Sequence, residues 1–182
     1  MDNEEEIDWT QMMNLLHVTN LEKGLVEQYK NASNLDIRIG LHQKYSQNPQ
    51  PWFEWIYEQL NLKEKDEVLE LGCGTGELWK NKNLPKNVHV TLSDQSQGMV
   101  KDARNYVGEG KGQISYQMID CRQIPKEDHS FDKVIANHVL FYLDDRQQVF
   151  NEIKRVLKQN GTLSAVPMEA VICRNYPADQ RF

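Results

Sequence analysis

From Trp9 to about Tyr45, apolar residues recur at helical steps: Met12, Leu15 and Leu16, then Leu21, Leu25, Val26 and Tyr29, then Leu35, Ile39 and His42. This spacing predicts an N-terminal helical segment in two or three pieces. Asn48-Pro49-Gln50-Pro51 interrupts it, and Trp52, Trp55, Ile56 and Leu60 predict one more amphipathic helix, ended by the polar stretch Asn61–Asp66. After Asp66 the period changes. Short apolar runs predict strands at Glu67–Leu71, Val88–Leu92, Ile114–Ile119, Lys133–Ala136 and Thr162–Val166. Helical patterns lie between them. Ser96 is placed to cap a helix bearing Met99, Val100, Ala103 and Val107. Asp144 and Asp145 open another that carries Val149, Phe150, Ile153, Val156 and Leu157 on one face and closes at Asn160-Gly161. Strands alternating with helices over about 100 residues imply βαβ units and a mostly parallel sheet. The expected organisation is a helical segment over 1–60 on the lid or substrate side, packed as one domain with an α/β unit over 61–182.

Charge narrows the partners. The chain of 182 residues carries 21 basic and 27 acidic side chains, a net charge of −6, and has no Lys/Arg-rich run. A nucleic-acid surface needs a basic footprint to neutralise phosphates, so nucleic acid is not the expected partner. No stretch approaches the roughly 20 apolar residues of a membrane span. The acidic start Met1-Asp2-Asn3-Glu4-Glu5-Glu6 is unlike a secretory leader, which makes the cytoplasm the expected location. Cys73, Cys121 and Cys173 show no metal-ligand spacing, and the five histidines are scattered, so no metal is expected.

The informative stretch is Glu70-Leu71-Gly72-Cys73-Gly74-Thr75-Gly76-Glu77, between a predicted strand and a helix that Glu77 opens. Glycines there let the chain turn sharply and let a ligand approach the backbone. A dinucleotide fingerprint would place a third glycine where Glu77 stands, and a pyrophosphate would seek an anion cradle at the helix start. Two acids flank this loop instead. They suit a cationic amino-acid ligand better than a pyrophosphate.

Val68–Gly76 resembles the first motif of class I S-adenosylmethionine (SAM)-dependent methyltransferases, a hydrophobic strand followed by acid-x-G-x-G-x-G. Thr91–Met99 is similar to the family's second strand, which ends in an acid, here Asp94. Met118-Ile119-Asp120-Cys121 followed by Ile124-Pro125 resembles its third-strand element. Ser130–Ile135 resembles the "F-D-x-V" fourth strand, and Val156–Leu163 the turn into strand five. The match covers roughly residues 67–166 and implies a three-layer Rossmann-like methyltransferase sheet with SAM as cofactor.

Carried onto this chain, the resemblance implies that Gly72, Gly74 and Gly76, with Cys73 between them, pass beneath the methionine and ribose portions of the cofactor. Asp94 would accept both ribose hydroxyls, a bidentate task suited to a carboxylate. Gln95 and Met99 would flank the adenine, Asp120 would take its amino group, and the Cys121 backbone would lie beside it. Asn137 and His138 would stand near the methyl group, with His138 the candidate general base because imidazole titrates near neutral pH. Glu70 has two candidate roles, holding the amides of the loop or meeting the cofactor's ammonium group. Tyr29, Arg38 and Tyr45 are candidates for closing over the cofactor. Trp52, Trp55 and Trp79 are expected in packing rather than in a stacking cage.

Ala136-Asn137-His138-Val139-Leu140-Phe141 lacks the N-P-P-[YF]-type motif with which some family members hold a planar amino group. With the acidic balance, this points to a small-molecule acceptor. Past strand five only Pro167–Phe182 remain, where the family usually adds a helix and a hairpin. That shortened C-terminal part raises two expectations: self-association through the exposed sheet edge, and, as the alternative to an enzyme, a cofactor-binding module or incomplete pseudoenzyme.

Overall fold

The computed structural model describes residues 49–108, 112–137, 139, 140, 143 and 145–165. Helix α1 spans Trp52–Gln59 and strand β1 Glu67–Leu71. A single 3₁₀ turn, Glu77–Trp79, is followed by β2 (His89–Asp94), α2 (Gln97–Val107), β3 (Ile114–Met118), β4 (Phe131–Ile135), α3 (Arg146–Val156) and β5 (Leu157–Ser164). The five strands form one sheet in the order β3-β2-β1-β4-β5, and every strand pair is parallel. The order reverses direction at β1 and β4, where open α/β sheets form a crevice beyond their carboxyl ends.

Successive side chains of β1 point to opposite faces, and each face has its own core. Val68 packs with Ile56 and Leu60 of the α1 region, with Leu78 and Trp79 of the turn, and with Val90, Leu92 and Ile135. Leu69 and Leu71 pack instead with Val134 and with Val149, Phe150, Ile153 and Val156 of α3. The sheet is therefore the middle of three layers. Helix α2 is capped by Ser96, whose hydroxyl accepts the Met99 amide, and α3 by Asp145, which accepts the Gln148 amide at 3.1 Å. Each cap satisfies one of the amides a helix start leaves unpaired.

Two expectations are corrected. Glu77 opens one 3₁₀ turn rather than a helix, because Lys80 is extended and Asn81 takes a left-handed conformation at φ 57°. Helix α3 closes at Val156, not at Asn160-Gly161, since Leu157 is already extended and pairs with Phe131. Gly161 is needed for a different reason. A Cβ there would lie 2.9 Å from Leu157 Cδ2 and 3.1 Å from the Phe131 carbonyl oxygen, so only glycine lets the two strands approach.

No helix among the described residues is long and apolar enough to cross a membrane. The helical pieces expected before Asn48 and the stretch 166–182, with the association expected through it, lie outside the described residues.

Candidate functional site

The site forms where β1 and β2 end side by side. β1 hands the chain to Gly72, Gly74 and Gly76, at φ 67°, 54° and 80°. All three lie in the left-handed region that side chains with a Cβ disfavour. A Cβ on Gly72 would run into Val139 Cγ2, and one on Gly76 would sit 2.6 Å from Val107 Cγ2 of α2. The glycines thus make the turn possible and let the residues after β4 and the face of α2 close around the loop.

The loop is tied to β2. The Cys73 amide donates to the Ser93 carbonyl at 2.8 Å, and the Ser93 hydroxyl donates to the Glu70 carbonyl at 2.6 Å. Asp94 ends β2 and accepts the Gly74 amide at 3.2 Å on one oxygen and the Ser96 amide at 2.9 Å on the other. A carboxylate offers about four acceptor positions. Each Asp94 oxygen therefore keeps room for a further donor, such as a ligand hydroxyl. Burial pushes the Asp94 carboxyl above its ordinary range against the pull of these amides.

Among the described residues the Glu70 carboxyl bonds to the indole of the 3₁₀ turn rather than to an amide of the loop. Its Oε2 accepts the indole N–H of Trp79 at 2.6 Å, and the residue is only 4 % exposed. Burial raises it to about 7; the indole bond opposes the rise and the Asp94 charge adds to it. Trp79 packs edge-on to Tyr57 of α1, so the acid is walled in by aromatic rings. Cys73 is mostly buried beside these acids, and burial first, then Glu70 and Asp94, push its thiol far up. A thiol so placed is a packing group, not a nucleophile.

The remaining candidates divide. Gln95 is exposed beside Asp94, whereas Met99, in the first turn of α2, is buried. Asp120 lies past β3 and forms a two-pronged ion pair with Arg122, with Nη2 to Oδ2 at 2.7 Å and Nε to Oδ1 at 3.0 Å. That guanidinium holds its carboxyl below the usual range. Cys121 packs partly buried against the α3 side. Asn137 follows β4, whose Ile135 lies opposite Glu70, and its Oδ1 is buried with no hydrogen-bond partner. Thr75 Oγ1, inside the loop, is buried and unpaired in the same way. Buried polar atoms are normally satisfied, so two orphans around one loop mark a place that awaits donors. Sequence reasoning passed over Thr75 and the Trp79–Glu70 bond. Thr75 stood inside the motif and was visible; the indole bond spans nine residues and becomes visible only once the loop is folded. His138, Tyr29, Arg38 and Tyr45 lie outside the described residues.

The donor set fits a cofactor that carries positive charge and hydroxyl groups. Two acids, two unpaired acceptor oxygens and a loop with glycine at every second position gather at the ends of adjacent strands. Among the described residues no group of three His, Cys, Asp or Glu side chains is gathered that would hold a metal ion.

Comparison with known proteins agrees with this geometry. Residues 69–165, more than half the chain, match the family model described as a methyltransferase domain. Methyltransferase GfsG of Streptomyces halstedii is 32% identical over 117 residues, covering 61% of this chain and 41% of that protein. The 27-O-demethylrifamycin SV methyltransferase of Amycolatopsis mediterranei is 32% identical over 107 residues, 58% of this chain and 39% of that one. The chain thus spans about two fifths of the length of these relatives. In fold it is similar to a SAM dependent methyltransferase from Aquifex aeolicus, with a TM-score of 0.55 and 24% identity, over 63% of this chain and 62% of the other.

Proposed function

The chain belongs to the methyltransferase domain family of class I SAM-dependent enzymes, and from that premise we propose that it transfers the methyl group of SAM to a small-molecule acceptor. The observation that carries the reading is the loop Gly72–Gly76 with Asp94 bonded across it. The acceptor class rests on the acidic balance of the chain and on the relative whose name specifies a demethylrifamycin.

In this reading Gly72, Gly74 and Gly76 leave the space beneath the amino-acid and ribose portions of the cofactor. Asp94 receives the ribose hydroxyls on its free acceptor positions, while Thr75 Oγ1 and Asn137 Oδ1 take donors from the bound molecules. Gln95 and Met99 flank the adenine. Asp120 takes its amino group in exchange for one of its contacts with Arg122, and Cys121 lies beside it. SAM, when bound, supplies an electrophilic methyl group on a positively charged sulfur. The protein's task is then to align the acceptor and exclude water, which fixed, walled-in side chains do well. His138 follows Asn137 directly in sequence and is the candidate to take a proton from an acceptor whose nucleophile carries one.

The test is turnover. Purified protein incubated with SAM and a metabolite library is expected to form S-adenosylhomocysteine together with a methylated small molecule. Methylation confined to proteins would overturn the acceptor class. Tight binding with no turnover in any library would make the chain a cofactor-binding module.

A further inference from the structure

Glu70 lies at the end of β1 with almost no exposure, and the donor that reaches its carboxyl, Trp79 Nε1, is neutral. A buried carboxylate is expensive unless a cation or several donors hold it. The described groups packed around Glu70 supply neither. β2 presents Leu92 opposite it and then the second acid, Asp94; β4 presents Ile135. The loop adds the Cys73 thiol, and the 3₁₀ turn begins with another acid, Glu77. From α1 comes Tyr57, against the Trp79 ring. Lys82, over the ring of Tyr57, is already committed to Glu54. From the side of α2, Ala103 and Val107 reach the loop, and Lys80 is bound to the Tyr106 carbonyl at 2.6 Å. Among the described residues no cation faces Glu70 or Asp94, and both lie at the strand ends where the proposed cofactor, positively charged at sulfur before methyl transfer and neutral after it, would sit.

We propose that Glu70 distinguishes the two forms of the cofactor by charge: its carboxyl group carries a proton in the free protein, and seating the sulfonium form releases that proton to solvent. Loss of the methyl group turns the sulfonium into a neutral thioether, and Glu70 then takes a proton back from solvent, which weakens the hold on the product. The elevated Glu70 carboxyl, at about 7, places this exchange near neutral pH. The inference rests on the cofactor occupying the glycine loop and is independent of the methyl acceptor.

Calorimetric titration of the full chain in buffers of different ionisation enthalpy measures the protons exchanged. SAM is expected to release roughly half a proton near pH 7 and more near pH 6, and S-adenosylhomocysteine markedly less. The ratio of SAM to S-adenosylhomocysteine affinity should fall about tenfold from pH 8 to pH 6. The sulfonium charge makes the α-ammonium group of SAM more acidic than that of S-adenosylhomocysteine, so the wild-type ratio is read against Glu70→Gln, where the ligands' own titration is the same. In Glu70→Gln, which keeps the shape and the acceptor for the indole, the ratio should keep only the ligands' own pH dependence and lose the tenfold fall. Trp79→Phe, which removes the donor, should move the midpoint upward. A wild-type ratio that tracks the Glu70→Gln ratio with pH would overturn the proposal. So would a fall that survives in Glu70→Gln and vanishes in Asp94→Asn, because the proton would then belong to Asp94. Failure of both ligands to bind would remove the cofactor from the loop and this inference with it, whereas binding without turnover would leave it standing.

Discussion

The acids of this protein live in two kinds of neighbourhood. At the carboxyl ends of β1 and β2, Glu70 is buried and Asp94 half-buried, both with neutral donors, and burial raises both. Around α3 and the start of β4, among the described residues, every acid with a shifted carboxyl has a cation. Glu152 holds Arg155 at 2.8 Å and lies below its ordinary range for that reason. Asp132 is pushed up by partial burial, but the Glu67 amide and Lys158 at 2.7 Å outweigh it. The second group is arranged to be stable by itself. The first is arranged for something still to arrive, and perturbed, uncompensated acids in a crevice are where function is expected.

Asp94→Ala tests the contrast most severely. Two charge-assisted hydrogen bonds to the ribose would be lost, each worth roughly 1.5–3 kcal/mol, so the Kd for cofactor should rise at least about tenfold with the fold intact. An unchanged Kd in calorimetry would make Asp94 a turn residue only. Gly76→Ala should come next, destabilising by about 2–5 kcal/mol, because a left-handed alanine and a Cβ packed into Val107 are both unfavourable. A denaturant melt with wild-type midpoint would show that the loop relaxes freely. Glu70→Gln is expected to act in the opposite direction. The carboxyl rises from 4.5 to about 7 on folding, so its protonated form is favoured in the native state. Its contribution is intact below the unfolded value and is lost as pH climbs through about 7, amounting to roughly 3 kcal/mol at pH 8. The variant should therefore melt higher than wild type at pH 8 and nearly alongside it at pH 4.5. The same Tm difference at both values would place no titrating acid there. The smallest effect is Arg155→Met, which frees the Ile124 and Lys126 carbonyls and strands Glu152. Partial exposure moderates the loss to about 1–2 kcal/mol, with cofactor Kd unchanged. A weakened Kd in that variant would mean the two neighbourhoods are coupled.

What was legible in the sequence was mostly what is decided locally. β1 has its expected bounds because Val68, Leu69 and Leu71 are apolar on both faces and glycine follows at once. The caps Ser96 and Asp145 were readable because a cap acts within three residues. The end of α3 was not. Asn160-Gly161 reads as a helix terminus, but pairing of Leu157 with Phe131 across the sheet decides where the helix stops. Within the site, the glycines and Asp94 were visible as a motif and do come together at one loop. The fate of Glu70 was hidden, because the bond to Trp79 exists only after the loop has reversed the chain. The Asp120–Arg122 pair, two residues apart, was within reach of a charge-pattern reading.

The strand order also has a consequence for how the molecule assembles. β1 joins β2 over a short stretch of sequence, with Val68 opposite Val90, but its other neighbour brings Lys133 to Val68 and Asp132 to the Glu67 amide, 65 residues away. Closing so long a loop must precede the contacts that reward it, so nonlocal parallel pairing is slow. β1, β2, β3 and α2 form one half built on near contacts and β4, α3 and β5 another, and the β1–β4 pairing that joins them is expected to form last. The crevice lies on the seam between these halves. It is expected to be the last region to gain protection in pulsed hydrogen exchange during refolding, and a ligand spanning the seam would act as a clasp on the final step of folding.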